Sequence, residues 1–176
     1  GREGREWVKA ALAFPSDVSW QWADALHVAG SLARIQGELS QARELYAQSR
    51  ELWRRLGDQD NEVRVLGNLA IIYTEEGQYA LAGESYEFVL AHFKKAGNTQ
   101  IMVAALVNLG TLHHQQGNFE KAQAFYGECL KLCQEVGNKR VLTACLTNLA
   151  EISYDESNYL LATQYAQDAL DLLPDL

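Results

Sequence analysis

Proline is nearly absent from this chain. Only Pro15 and Pro174 occur, one near each end, so nothing in the long interior is set against helices. Basic charge is scarce as well. Fifteen Lys and Arg stand against 23 Asp and Glu, a net charge of -8 with a pI near 5.0. A nucleic-acid surface needs a basic stripe to displace phosphate counterions, so nucleic acid is excluded as a direct partner. No apolar run approaches the roughly 20 residues of a membrane helix. No charged-then-apolar leader opens the chain, which is read as cytoplasmic. There are three cysteines, Cys129, Cys133 and Cys145, an odd number at apolar helical positions. They read as reduced thiols rather than a disulfide frame. An initiator Met is also missing, and the chain starts inside a helical pattern, so a fragment of a longer protein is expected.

Catalytic groupings are missing too. The glycines of the repeating pattern stand singly at helix ends, unlike a phosphate-cradling loop. No nucleophile, base and orienter arrangement appears, so no enzyme and no catalytic residue is expected. Two features come nearest to chemistry. His113 and His114 precede Cys129 and Cys133 by about one helix, but a zinc site needs four ligands converging at about 2.0–2.3 Å. His113, Cys129 and Cys133 occupy the phases of Tyr73, Val89 and Phe93, which are packing positions, so neither metal nor cofactor is expected. The acid pairs Glu75–Glu76 and Asp155–Glu156 read as solvated helix ends, with nothing apolar nearby to raise a pKa.

What the chain has is a 40-residue period. Gly37, Gly77 and Gly117 recur, with Ser157 in phase. Ala42, Ala82, Ala122 and Ala162 share a second phase, and Leu39, Tyr79, Phe119 and Tyr159 a third. Tyr46, Tyr86 and Tyr126 share a fourth, which Ala166 breaks, and Gly57, Gly97 and Gly137 mark the far end of each unit. A strict period of this length signals stacked supersecondary units, none of which buries its apolar face alone. Within one unit, Val63, Leu66, Leu69, Ala70 and Tyr73 recur at steps of three and four, the stripe of an amphipathic helix. Gly77 stops that helix, because Gly accepts the left-handed cap conformation. Tyr79, Ala82, Tyr86, Val89, Leu90 and Phe93 form a second stripe, which Gly97 closes, and Asn98 or Thr99 can cap the next helix. Each unit is thus a hairpin of two helices of about 17 residues, about 25 Å long. Small residues (Ala70, Gly110 and Ala150, then Ala82, Ala122 and Ala162) mark the helix crossings. Tyr79, Phe119 and Tyr159 are expected to plug the gap to the preceding helix.

These residues resemble the tetratricopeptide repeat. The resemblance is clearest in Leu69-Ala70-Tyr73-Gly77-Tyr79-Ala82-Tyr86 and Leu109-Gly110-Gly117-Phe119-Ala122-Tyr126. The usual repeat has 34 residues; the longer form is similar to arrays in STAND-class signalling ATPases, in bacterial regulators like the maltose activator, and in kinesin light chains. It implies an all-α fold, a right-handed superhelical solenoid of antiparallel hairpins with about nine helices. The expected parse is one array over 1–176. Residues 3–14 form a truncated half-repeat, and hairpins follow at 20–57, 60–97, 99–137 and 139–174.

The resemblance also implies that the first helix of each hairpin lines a concave wall, at five and two residues before the phase of Leu69 and two, five and six after it. The candidate residues are Asp24, His27, Ser31, Arg34 and Ile35 in the first hairpin, and Arg64, Gly67, Ile71, Thr74 and Glu75 in the second. In the third they are Ala104, Val107, Thr111, His114 and Gln115, and in the fourth Ala144, Thr147, Glu151, Tyr154 and Asp155. No Lys is among them, which disfavours a clamp for a C-terminal carboxylate. The function expected is a non-enzymatic protein–protein interaction scaffold, the sensor or docking segment of a cytoplasmic signalling protein. A small-molecule effector module is the alternative. A partner peptide would lay its basic part toward Glu151 and Asp155 and any acidic part toward Arg34 and Arg64, unless these are ordinary solvated charges. Asn68, Asn108 and Asn148 make either a structural hydrogen bond or a ligand contact. Trp53 is expected in the core, whereas Trp20 and Trp22 either cover the truncated helix or form a contact surface. Unpartnered apolar residues at the ends (Trp7, Val8, Leu12; Leu170, Leu172, Leu173) point to self-association there.

Overall fold

The computed structural model describes residues 19–172. The expected half-repeat at 3–14 and Leu173 lie outside the described residues. Eight helices follow one another: α1 Trp20–Ile35, α2 Leu39–Leu56, α3 Gln59–Glu75, α4 Tyr79–Ala96, α5 Thr99–Gln115, α6 Phe119–Val136, α7 Lys139–Asp155 and α8 Tyr159–Asp171. There is no strand among the described residues, and none of these helices is long and apolar enough to cross a membrane.

The helix ends follow from side-chain chemistry. Ser19, Asp58, Asn98 and Asn138 each accept a hydrogen bond from the backbone N–H three residues on, so every first helix of a hairpin starts on a side-chain cap. At the turns the chain needs a left-handed residue. Gly37, Gly77 and Gly117 supply it at φ 72–79°, and their Cβ positions face open space. The fourth hairpin places Ser157 there at φ 62°, the sole non-glycine with positive φ among the described residues. That conformation costs a side-chain-bearing residue about 1–2 kcal/mol.

The chain forms two compact units, divided between His92 and Phe93. In the first, α1 packs along α2 and α2 along α3. Its core gathers Leu26, Leu45, Tyr46, Trp53, Leu69 and Ile72, with Trp22, Leu39 and Tyr73 packed at the edge. Trp53 is buried as expected; Trp22 joins the core margin, whereas Trp20 stays 61% exposed. In the second unit α5 packs on α6, α6 on α7 and α7 on α8. Leu106, Leu109, Leu112, Leu149 and Ile152 are buried there, each contributing roughly 1.5–3 kcal/mol.

The small residues expected at the crossings are buried in the first three hairpins, whereas Ala150 and Ala162 of the fourth are partly exposed. Ala42, Ala82, Ala122 and Ala70 are fully buried. The tyrosine of the second helix lies across them: a Cβ added to Gly30 would stand 2.8 Å from Tyr46 Cδ1, and one added to Gly110 2.6 Å from Tyr126 Cε1. The hydroxyl of Tyr46 pairs with Ser31 at 3.0 Å and that of Tyr126 with Thr111 at 2.9 Å. The expected aromatic plugs are looser. Tyr79 is 37% and Tyr159 60% exposed, whereas Phe119 is half-buried and tilts against His114 of the preceding helix at 5.8 Å.

Candidate functional site

The predicted wall residues lie on the first helices of the hairpins, and most of their polar groups are engaged. On α1 and α3, Arg34 Nη1 donates to Glu75 Oε1 at 3.0 Å, and Arg64 faces Asp24 at 3.6 Å. His27, half-buried between them, meets the Asn68 amide at 2.6 Å and tilts against the Tyr46 ring at 5.8 Å. Burial, then the Arg64 charge, lowers the His27 pKa from its ordinary 6.5, with Asp24 opposing. Ser31 also back-bonds to the His27 carbonyl, and Thr74 to that of Ala70. Ile71 stands half-buried beside them. Both wall arginines are therefore already paired with acids of the same unit. Such exposed ion pairs contribute about 0–1 kcal/mol each, so they set surface charge more than stability.

In the second unit the wall changes character along its two helices. On α5, Val107, Thr111 and His114 are half-buried and Gln115 is exposed. Thr111 holds the Tyr126 hydroxyl, and His114 Nε2 meets Asp155 at 3.1 Å. On α7, Thr147, Glu151, Tyr154 and Asp155 are all exposed. Thr147 is satisfied by the Thr143 carbonyl, and Tyr154 meets the edge of Tyr159 at 5.5 Å. Glu151 has no cationic partner among the described residues.

The acid pairs at the helix ends prove structural. Glu75 reaches Arg34 on α1 while Glu76 reaches Arg43 on α2 at 3.2 Å. Asp155 reaches His114 on α5 while Glu156 accepts from Gln123 on α6 at 2.6 Å. Each pair grips both helices of the preceding hairpin. Sequence reasoning missed this, although the signal was present: contacting wall residues are offset from the repeat by one position, as in Arg34 and Glu75.

The metal-like residues are otherwise employed. His113 stacks on Phe125 at 5.5 Å, with ring planes 6° apart. Cys129 lies 3.0 Å from Cys145 and 3.9 Å from Cys133, all buried. The neighbouring Cys145 thiol and burial hold Cys129 above the usual thiol range, and burial pushes Cys133 up to about 12. Among the described residues no group of three or more His, Cys, Asp or Glu is arranged to hold a metal ion.

Two of the clefts formed by these helices are lined by charged side chains. One of about 740 Å³ lies between α2 and α3, lined by Arg43, Arg50, Arg54, Glu51 and Glu62. Its charges largely satisfy one another, through Arg50–Glu62 and Arg54–Glu51 pairs. The other, about 380 Å³, lies between α7 and α8 and is lined by Ala150, Glu151, Tyr154, Asp155, Ala162, Thr163 and Ala166.

Solved structures with the same fold cover nearly the whole chain. Aspartyl phosphate phosphatase F from Bacillus subtilis superposes with a TM-score of 0.86 at 14% identity, covering 93% of this chain and 43% of that one. NprR in complex with its cognate peptide NprX gives 0.75 at 19% identity, covering 96% and 49%. The STAND protein PH0952 from Pyrococcus horikoshii, with its tetratricopeptide repeat sensor, gives 0.73 at 19% identity, covering 89% and 24%. The chain thus spans less than half of each of these proteins, and at such identity the likeness concerns the fold. No curated protein matches in sequence. The family model of the MalT-like TPR region matches residues 3–174. The chain belongs to the MalT-like tetratricopeptide repeat family.

Proposed function

We propose that this chain is a non-enzymatic protein–protein interaction scaffold, the sensor or docking segment of a larger cytoplasmic signalling or regulatory protein. It holds an extended peptide or a partner helix against the faces of its first helices. The observation that carries this reading is the contrast along the predicted wall. Asp24, Arg34, Arg64 and Glu75 neutralise one another, whereas α7 presents Glu151 and Tyr154 exposed, with no cation opposite Glu151. An unpaired acid beside an aromatic ring attracts a basic segment and orients it. Solved relatives support a peptide as the partner: NprR holds its cognate peptide, and the Rap regulator of plasmid pLS20 is in complex with the Phr* peptide. The basic part of the peptide lies toward Glu151 and Asp155. Arg34 and Arg64 are left to a weaker role, since an acidic segment there must displace Glu75 and Asp24. The exposed Leu160 and Leu170 of α8 offer a second, apolar contact surface.

Charge reversal tests the wall. Once a partner peptide has been captured, Glu151→Lys should slow association and flatten its salt dependence, and Arg64→Glu should do so more weakly. Glu87→Lys, on the second helix of its hairpin, should leave both unchanged. Equal behaviour of all three variants would move the binding surface away from the first helices.

A further inference from the structure

In three hairpins a tyrosine covers the helix crossing. Tyr46, Tyr86 and Tyr126 are 1%, 3% and 1% exposed. Each ring lies in the second helix and its hydroxyl is held by the first: Tyr46 by Ser31, Tyr126 by Thr111, and Tyr86 by Thr74. The fourth hairpin keeps the crossing but lacks the ring. Ala166 stands in the tyrosine phase and is exposed, and Ala162 and Ala150 are partly uncovered where their counterparts are buried. The space left open is the 380 Å³ cleft between α7 and α8.

The lining says what fits. Ala150 and Ala162 floor the cleft with small apolar surface, and Tyr154 stands as a wall. Glu151 lines it one residue after the small residue of the crossing, the position of Ser31 and Thr111. A carboxylate there is acceptor-only, so it takes a hydrogen bond that a guest hydroxyl must donate. Glu151 and Asp155 together make the mouth acidic.

We propose that this cleft is an anchor site for a tyrosine side chain of a partner peptide, flanked in that peptide by basic residues. The guest ring takes the place that Tyr86 occupies in its own hairpin, where alanine (Ala70) also stands at the crossing. Its hydroxyl donates to Glu151, and the basic neighbours meet Asp155 and the rim. This deepens the peptide-binding reading above and rests on it.

The chain can fill the cleft itself, and that gives the test. Ala166→Tyr restores the repeat pattern, and the buried pair Ala70 and Tyr86 shows that an alanine tolerates the ring above it. The probes are a blocked Lys-Tyr-Lys peptide, its Phe and Ala counterparts, and 4-methylphenol. Binding is read from the backbone amide signals of isotope-labelled protein. The tyrosine peptide and 4-methylphenol should shift Ala150, Ala162 and Ala166. The Phe peptide should bind about tenfold more weakly, as expected for losing a hydrogen bond to a charged acceptor. The Ala peptide should not bind. Glu151→Ala should erase the preference for Tyr over Phe, which keeps the test open if Ala166→Tyr folds poorly. Ala166→Tyr should abolish binding and raise the unfolding midpoint.

Tyr and Ala peptides that bind alike, or binding that survives Ala166→Tyr, would overturn the anchor. Self-association removed by Ala166→Tyr, without peptide binding, would assign the cleft to a second copy of the chain instead. If a captured partner shifts Thr111, His114 and Thr147 but ignores Ala166→Tyr, the anchor fails while the wall reading stands.

Discussion

Gly110 and Gly127 belong to the same hairpin, and replacing each by alanine should move stability in opposite directions. Alanine is the better helix former by about 1 kcal/mol, so propensity alone predicts a gain at both. At Gly127, inside α6, nothing lies within 4 Å of the new Cβ, and a gain of about 0.5–1 kcal/mol is expected. At Gly110, inside α5, the new Cβ would stand 2.6, 2.7 and 2.9 Å from three carbons of the Tyr126 ring. That ring is 1% exposed and tied to Thr111, so it has little room to retreat. Overpacking of this kind costs about 1–3 kcal/mol. Less the propensity gain, the net effect is a loss of up to about 2 kcal/mol, or up to roughly 8 °C in midpoint at 2–4 °C per kcal/mol for a chain of this size. Urea and thermal denaturation of both variants would measure it. A second cycle locates the cause: in a Tyr126→Ala background, Gly110→Ala should turn from harmful to neutral or favourable, because the obstructing ring is gone. If Gly110→Ala stabilises as Gly127→Ala does, or if its cost persists without the ring, the steric account of the crossing is wrong.

Ser157→Gly should stabilise by about 0.5–1 kcal/mol, the relief of the left-handed strain less the extra chain entropy of glycine, read from the urea midpoint. His27 makes folding pH-dependent in a definite direction. Its folded pKa lies below 6.5, so the unfolded chain binds a proton that the folded chain refuses. Stability is then intact above about pH 6.5 and declines as pH falls below it, and His27→Gln should flatten that decline in midpoints measured from pH 7 to 5. The three buried thiols should resist a disulfide-exchange reagent in the native state and all react once urea unfolds the chain, because burial bars the reagent from each of them and also keeps the reactive thiolate of Cys129 and Cys133 unpopulated. Rapid labelling of native Cys133 would contradict its packing.

Local chemistry made much of the fold legible. Asn98 reads as a helix start and Gly77 as a helix stop because capping is decided within four residues. Trp53 reads as core because its phase repeats at Phe93. The contacts between hairpins were less legible. Arg34 and Glu75 occupy different phases of the repeat, so comparing units position by position never sets them side by side. The acids Glu76 and Glu156 looked solvated because their partners, Arg43 and Gln123, sit on a different helix of the preceding hairpin. Ala166 was visible as a break in the tyrosine phase, but only the uncovered Ala150 and Ala162 show that the break leaves a cleft. Tyr159 shows the opposite failure: an aromatic in a packing phase that remains largely in solvent.

The joints between hairpins follow a longer rhythm than the hairpins do. The contact of Arg34 with Glu75 has its counterpart eighty residues on, in His114 with Asp155. So does that of Arg43 with Glu76, in Gln123 with Glu156. The pairing of a glycine with a tyrosine at the crossing, Gly30 with Tyr46, recurs eighty residues later as Gly110 with Tyr126. Any copied segment must bring both halves of a joint with it. A forty-residue copy of the first hairpin would not: it offers Arg34, but Ile35 stands where the acid Glu75 is needed. A copy of two hairpins carries donor and acceptor together. The smallest stretch of this chain that contains a whole joint is thus a pair of hairpins. Grafting, shortening or extending it in pairs keeps every such joint complementary, whereas doing so in single hairpins sets unlike ends against each other.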